Sequence, residues 1–210
     1  MLNKNPFLYA FLSILIIFFD FIFKNILDFD SRLVDSLSYQ LTEEQIFDFL
    51  NLRKQIGWLS LVIIPLMLLL KVSLISAVIN IVFVFLDKDI KYKKILNIVL
   101  KAEFIFLLAI LIKTVWFYVF NQDYDLNDLQ YFYPLSVLNI VGYNNIQVWF
   151  IYPLQILNLF ELSYWFILAY MLGKELEVNT NKSFAIVASS YGVGLVIWVG
   201  IVMFFTLNMS

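Results

Sequence analysis

Six ionisable side chains lie within the apolar runs of this chain: Asp20, Lys71, Lys101, Glu103, Lys113 and Glu161. Lys71 stands alone near the middle of residues 57–86, a stretch with no other charged side chain. Roughly thirty residues of helix reach about 45 Å, against about 30 Å of bilayer hydrocarbon. A lysine at mid-bilayer costs about 2.5–3.5 kcal/mol on insertion scales, so such a residue faces protein or water and has a partner. Glu103 and Lys113 are also deep in their run, and Glu161 follows Asn158 near the middle of a later one. Opposite charges on neighbouring helices would neutralise one another, which pairs Lys71 with Glu103 and Lys113 with Glu161. Lys71, Glu103, Lys113, Asn158 and Glu161 therefore form a candidate intramembrane polar cluster. It reads as a ligand pocket, a proton path or a docking site for another membrane helix, or else as ion pairs that fix helix order and register. Asp20 and Lys101 lie nearer the ends of their runs, where snorkelling into the headgroups satisfies them.

Other chemistry is sparse. Cysteine and histidine are both absent, which removes disulfides, thiol chemistry, imidazole bases and zinc sites built from those ligands. No Gly-x-Ser-x-Gly, His-Glu-x-x-His, Walker lysine or Gly-Asp protease signature occurs. Glu43-Glu44 has the look of the start of an intramembrane glutamate protease motif, but the arginine and histidines that would complete it are missing. The expectation is a non-enzymatic protein without a cofactor. A net charge of -2 gives no basic face for nucleic acid.

The elements that must position these charges are membrane helices. Of the 210 residues, 62% are hydrophobic and 14% charged, where a soluble domain has about 25% charged. A soluble fold of this size buries too little of its surface to hide so many aromatic and aliphatic groups. The sequence predicts an all-α, polytopic transmembrane bundle forming one domain. Five spans are expected, at about residues 6–23, 57–86, 95–120, 151–172 and 184–207. Pro65 is the expected bend in the second. If Lys71 instead marks the tip of a hairpin, residues 57–86 become two short spans and the total rises to six. Leu70-Lys71-Val72-Ser73 has no Gly, Pro or Asn to turn on, which favours one long helix. Residues 131–141 are too short to cross and precede the turn Gly142-Tyr143-Asn144-Asn145, so a re-entrant or interfacial segment is expected there. Lys4 followed by an apolar stretch resembles a signal peptide, but without a small-residue cleavage site the first run reads as a retained span.

Local signals fill in the rest. Thr42-Glu43-Glu44-Gln45 is a capping box, and Ile46, Phe47, Leu50 and Leu52 give the helix it opens an apolar side. That helix is expected to lie on the membrane surface within the hydrophilic segment 28–56. Tyr133-Pro134-Leu135-Ser136 and Tyr152-Pro153-Leu154-Gln155 resemble each other and read as two interfacial helix starts, with Pro in the first turn. Ser189, Ser190, Gly192, Gly194 and Gly200 supply the last span with small residues for close packing. Lys88, Lys91, Lys93 and Lys94 place their loop in the cytoplasm, whereas Asp123, Asp125 and Asp128 mark the next loop as external. Lys174 and Lys182 return the fourth loop inside, which sets the N-terminus in and the C-terminus out. The wealth of Ile, Asn, Lys and Phe suggests an AT-rich, bacterial coding sequence, hence the cytoplasmic membrane.

The passage Asn158-Leu159-Phe160-Glu161-Leu162-Ser163-Tyr164-Trp165, the close at Leu168-Ala169-Tyr170-Met171-Leu172-Gly173, and Lys182-Ser183-Phe184-Ala185 resemble the Yip-domain (Ypt-interacting protein) family of small membrane proteins. Residues 88–103 are also similar to that family's passage between its second and third spans. The resemblance covers roughly residues 85–207 and consists of hydropathy patterns. The Asp-Leu-Tyr-Gly-Pro-like segment of the eukaryotic members is absent; Asp128-Leu129-Gln130-Tyr131 stands nearest to it. The resemblance implies a membrane scaffold or partner-binding subunit and assigns no catalytic residue. Together the readings point to a protein that works in the lipid bilayer by association with other membrane proteins or with itself. The alternative is a small transporter or substrate-binding membrane subunit with a polar midplane pocket.

Overall fold

The computed structural model describes residues 4–88, 90–144 and 146–209. Among the described residues the chain is helical, with one isolated pair of extended residues. The α-helices are α1 (Lys4–Ile26), α2 (Phe29–Leu37), α3 (Glu43–Ile56), α4 (Leu59–Phe85), α5 (Tyr92–Ala102) and α6 (Ile105–Val115). They continue with α7 (Leu126–Tyr131), α8 (Val137–Val141), α9 (Val148–Ile156), α10 (Leu159–Leu176), α11 (Thr180–Val187) and α12 (Val193–Met209). A π-helical turn, Trp116–Phe120, extends α6, and a second, Ala188–Gly192, joins α11 to α12.

Four helical stretches are long and apolar enough to cross a membrane: Pro6–Ile26, Leu59–Phe85, Tyr92–Phe120 and Thr180–Met209. The six-span alternative fails here, because α4 runs unbroken through Lys71 and through Pro65. Tyr9 Oη donates to the Pro65 carbonyl at 2.7 Å, tying α1 to α4 beside the proline. The third stretch combines α5 and α6 across a step at Glu103 and Phe104. There the amides of Phe106 and Leu107 bond three residues back, to the carbonyls of Glu103 and Phe104 at 3.1 and 3.2 Å. This tight, 3₁₀-like turn falls on the buried acid.

The expected fourth span, 151–172, is not one helix. It is cut at Leu157 and Asn158 into α9 and α10. Asn158 is extended and caps α10, its Oδ1 accepting from the Glu161 amide at 2.8 Å, so its own preference for an N-cap interrupts the run. Free backbone groups at such a break are costly away from water. Residues 135–137 meet them: the Val137 amide donates to the Leu157 carbonyl at 2.9 Å and the Leu159 amide to the Leu135 carbonyl at 3.2 Å. Ser136 and Asn158 thereby form an antiparallel bridge. The segment 131–141 is thus the end of α7, a turn with Leu135 in the left-handed region at φ 56°, and the short α8. The two Tyr-Pro motifs also part company. Pro134 lies in the turn before α8, whereas Pro153 lies inside α9, whose N-cap is Gln147. α9 packs along α12 and α10 along α11, so the two halves accompany the last long stretch.

One main core joins α1, α4, α5, α10 and α11 through Leu12, Ile79, Phe83, Leu100, Leu168 and Val187. A smaller cluster unites Leu27, Phe117 and Leu129. Packing rather than exclusion of water holds helices together in lipid, so close approach decides where they touch. A Cβ on Gly192 would come within 2.6 Å of the Trp165 ring, and one on Gly173 within 2.8 Å of Ser183 Oγ. The small-residue expectation therefore applies to Gly192 and to Ser190, which is buried, and not to Gly200, which meets nothing within 4 Å. The capping box at Thr42 forms as read: Thr42 Oγ1 accepts from the Gln45 amide and Gln45 Oε1 from the Thr42 amide. Of the apolar side of α3, only Ile46 is buried, and Phe47 and Leu52 stay exposed.

Candidate functional site: a polar core between the long helices

α4 and the α5–α6 step bring Lys71 and Glu103 together. Lys71 Nζ lies 2.7 Å from Glu103 Oε2. The two partners differ in burial, with the Lys71 side chain 43% exposed and that of Glu103 5% exposed. The ammonium also sits over two rings, 4.2 Å from the centroid of Phe106 and 5.7 Å from that of Tyr164. An ion pair and two aromatic faces thus share one cation, which compensates its desolvation better than either would alone. Glu103 Oε1 and Tyr164 Oη are buried in this core, and neither makes a hydrogen bond of ordinary geometry among the described residues.

Glu161 enters the same core from α10 but does not meet Lys113. Its Oε1 accepts from Tyr191 Oη at 2.6 Å and from Trp165 Nε1 at 2.9 Å. Trp165 lies one helical turn after Glu161, and the π-helical turn at Ala188–Gly192 carries Tyr191 toward α10. Such turns insert one residue into a helix and re-aim the side chains beyond it. The rings of Tyr164 and Tyr191 meet edge-on at 5.2 Å, and those of Phe106 and Tyr164 also lie 5.2 Å apart. The position of Glu161 in the first turn of α10 suits a carboxyl group electrostatically, because the free amides there carry partial positive charge.

Lys113 is elsewhere. Its Nζ donates to the Leu129 carbonyl at 2.6 Å and lies 5.4 Å from the centroid of the Phe23 ring. The expected pairing with Glu161 is replaced by a backbone acceptor in the last turn of α7, where carbonyls lack helical donors. Asn158 serves its own helix: besides capping α10, its Nδ2 donates to the carbonyls of Gln155 and Ile156 at 2.8 and 3.0 Å. Asp20 pairs with Lys24 one turn later at 2.6 Å. Of the five candidate residues, then, Lys71, Glu103 and Glu161 share one core, Asn158 shapes its edge, and Lys113 belongs to a second region.

Sequence reasoning missed the aromatic wall of Phe106, Tyr164, Trp165 and Tyr191. The four-residue spacing of Glu161 and Trp165 was a usable signal, since residues so spaced share a helix face. Tyr191 had none, because its approach depends on a π-helical turn. Among the described residues no group of three or more His, Cys, Asp or Glu is placed to hold a metal ion. The arrangement can hold a charge pair closed while the Lys71 side chain stays partly exposed. Comparison of the chain with protein-family models, with curated proteins and with solved structures finds no match.

Proposed function

We propose that this chain is a non-enzymatic integral membrane protein that works as a scaffold or accessory subunit, through association with other membrane proteins. One observation carries the reading. Lys71 is half exposed in the middle of an apolar helix, and Met67 and Leu74, on the same face at helical spacing, are 59% and 65% exposed. Lipid is a poor neighbour for a partly exposed lysine side chain, and a helix from a partner with a polar side chain is a good one. The closed Lys71–Glu103 pair supports a bundle that is rigid enough to present such a surface. In this reading the bundle crosses the bilayer five times, with α10 as the fourth crossing, the α7–α9 region as a re-entrant or interfacial segment and α3 on the membrane surface. The lysine-rich loop faces the cytoplasm of a bacterial cell, and the Yip-domain family is the proposed kin.

Photocrosslinking from positions 67 and 74 in native membranes tests the association. Adducts with one membrane protein, or with a second copy, are expected at both positions. A monomeric particle with no adduct at either overturns it. Because the chain has no cysteine, single cysteines at positions 91 and 123 report the two sides cleanly by impermeant labelling; the same accessibility for both would overturn the topology. The transporter reading has its own observation in the broken run at Leu157 and Asn158 beside Glu161, an acid held by neutral donors. Cation-coupled uptake that Glu161→Gln abolishes would favour it over the scaffold.

A further inference from the structure

α5 and α10 leave a groove of about 730 Å³ between them, on the side of the polar core toward the lysine-rich loop. That volume lies within the range of about 300–1,000 Å³ usual for small-molecule sites. Lys94, Lys101 and Lys174 line it together with apolar residues that include Ile98, Phe166 and Met171. Among the described residues the only acid in the lining is Glu175, whose carboxylate is taken by Lys94. Lys174 Nζ stands 4.7 Å over the Tyr170 ring, and Lys101 has no ion-pair partner among the described residues. Among the described residues, three lysines against one carboxylate leave the groove with a surplus of two positive charges. Lys94 and Lys101 are seven residues apart in α5, two turns or about 10 Å along one face. The second cation is therefore set deeper along α5 than the loop lysines, with Asn97 and Ile98 between the two.

A cationic site at the boundary of a bundle, backed by an apolar wall, is complementary to one kind of molecule. We propose that this groove binds one anionic phospholipid, with its phosphodiester held by Lys101 and Lys174, its headgroup side against Ile98 and Met171, and an acyl chain leaving past Phe166. Lysine meets a phosphate as a mobile point charge and needs no fixed fork geometry. Basic clefts between membrane helices recognise acidic headgroups in this way. The site needs the bilayer half of the function proposed above and not its partner half, so a monomeric particle leaves it standing.

Native mass spectrometry of the purified chain, offered equal amounts of phosphatidylglycerol and phosphatidylcholine, tests it. The wild type should retain one phosphatidylglycerol in at least about tenfold preference. The double variant Lys101→Gln/Lys174→Gln should bind it about tenfold more weakly, and Lys101→Arg should keep it. Lys88→Gln/Lys91→Gln removes the same charge from the loop outside the groove and should change nothing. Equal retention of both lipids, or an equal loss in the loop variant, overturns the proposal. So does an acidic helix of a partner crosslinked at Lys101 in place of lipid.

Discussion

Two regions of this bundle hold a lysine away from water, and they do it by opposite means. At Lys71 the compensation comes from side chains on other helices: the Glu103 carboxylate and the faces of Phe106 and Tyr164. At Lys113 it comes from a peptide carbonyl, that of Leu129, left free at the end of α7. The first region stakes a full charge on a partner's full charge, so removing one orphans the other. The second sets a charge against a dipole, and removing the lysine leaves only a carbonyl that water or a neighbouring donor can serve. Around Lys113 the short helix is itself fixed by polar caps. Asp125 and Asp128 form a reciprocal box, and Tyr143 Oη donates to Asp128 Oδ1 at 2.8 Å. The mid-bundle core is thus built from distant parts of the chain, while the α7 region is held by side-chain caps and carbonyl contacts from residues nearer in sequence.

The largest expected effect of a substitution is at the charge pair. Lys71→Met leaves Glu103 buried and unpaired, and should lower stability by about 3 kcal/mol, the lower end for a broken buried pair because Lys71 is half exposed. Thermal unfolding in detergent measures it. Adding Glu103→Gln should restore most of the loss, and a double variant as unstable as the sum of the singles would break the contrast drawn here. Next comes Tyr191→Phe, which removes one of two donors from buried Glu161 and should cost about 1–3 kcal/mol. Lys113→Met should cost less, about 1 kcal/mol, since its acceptor is a neutral carbonyl. If it equals Lys71→Met, the two regions are not different in kind.

The smallest effect is a titration. Burial and the hydrogen bond to Asp128 push the Tyr143 phenol up to about 12. Its folded pKa lies above the ordinary value of about 10, so its contribution is complete below that pH and is lost as pH rises toward 12. The phenolate absorbance gained at about pH 11 should be the same in wild type and in Tyr143→Phe. A smaller gain in the variant would show that Tyr143 ionises with the exposed tyrosines.

The parts of this fold that were legible in the sequence are those whose cause is local or whose charge is conspicuous. Thr42 and Gln45 announce a helix start at fixed spacing, and they form it. Lys71 and Glu103 are opposite charges deep in successive apolar runs, and they meet. The break in 151–172 was not legible, because apolar composition is continuous across it and the groups that satisfy it belong to Leu135 and Val137, upstream in the chain. The acceptor of Lys113 was hidden for a related reason: a backbone carbonyl has no residue type to read. Glu161 misled because opposite charge is a visible partner and a tyrosine delivered by a π-helical turn is not.

The bridge between Ser136 and Asn158 has a consequence for how the chain enters a membrane. An uninterrupted span can leave the insertion machinery as soon as it is made, since every amide is already bonded within it. The run from α9 into α10 lacks that independence: the amides and carbonyls of its break are satisfied only by a segment synthesised earlier and still waiting. In the five-crossing topology proposed above, insertion of this half is therefore a joint event, in which 135–137 and 157–159 partition together. A substitution that prevents their docking, such as proline at position 137 or 159, should appear first as chain caught at the ribosome-bound stage and cleared by proteases, before any loss of function in protein that does assemble.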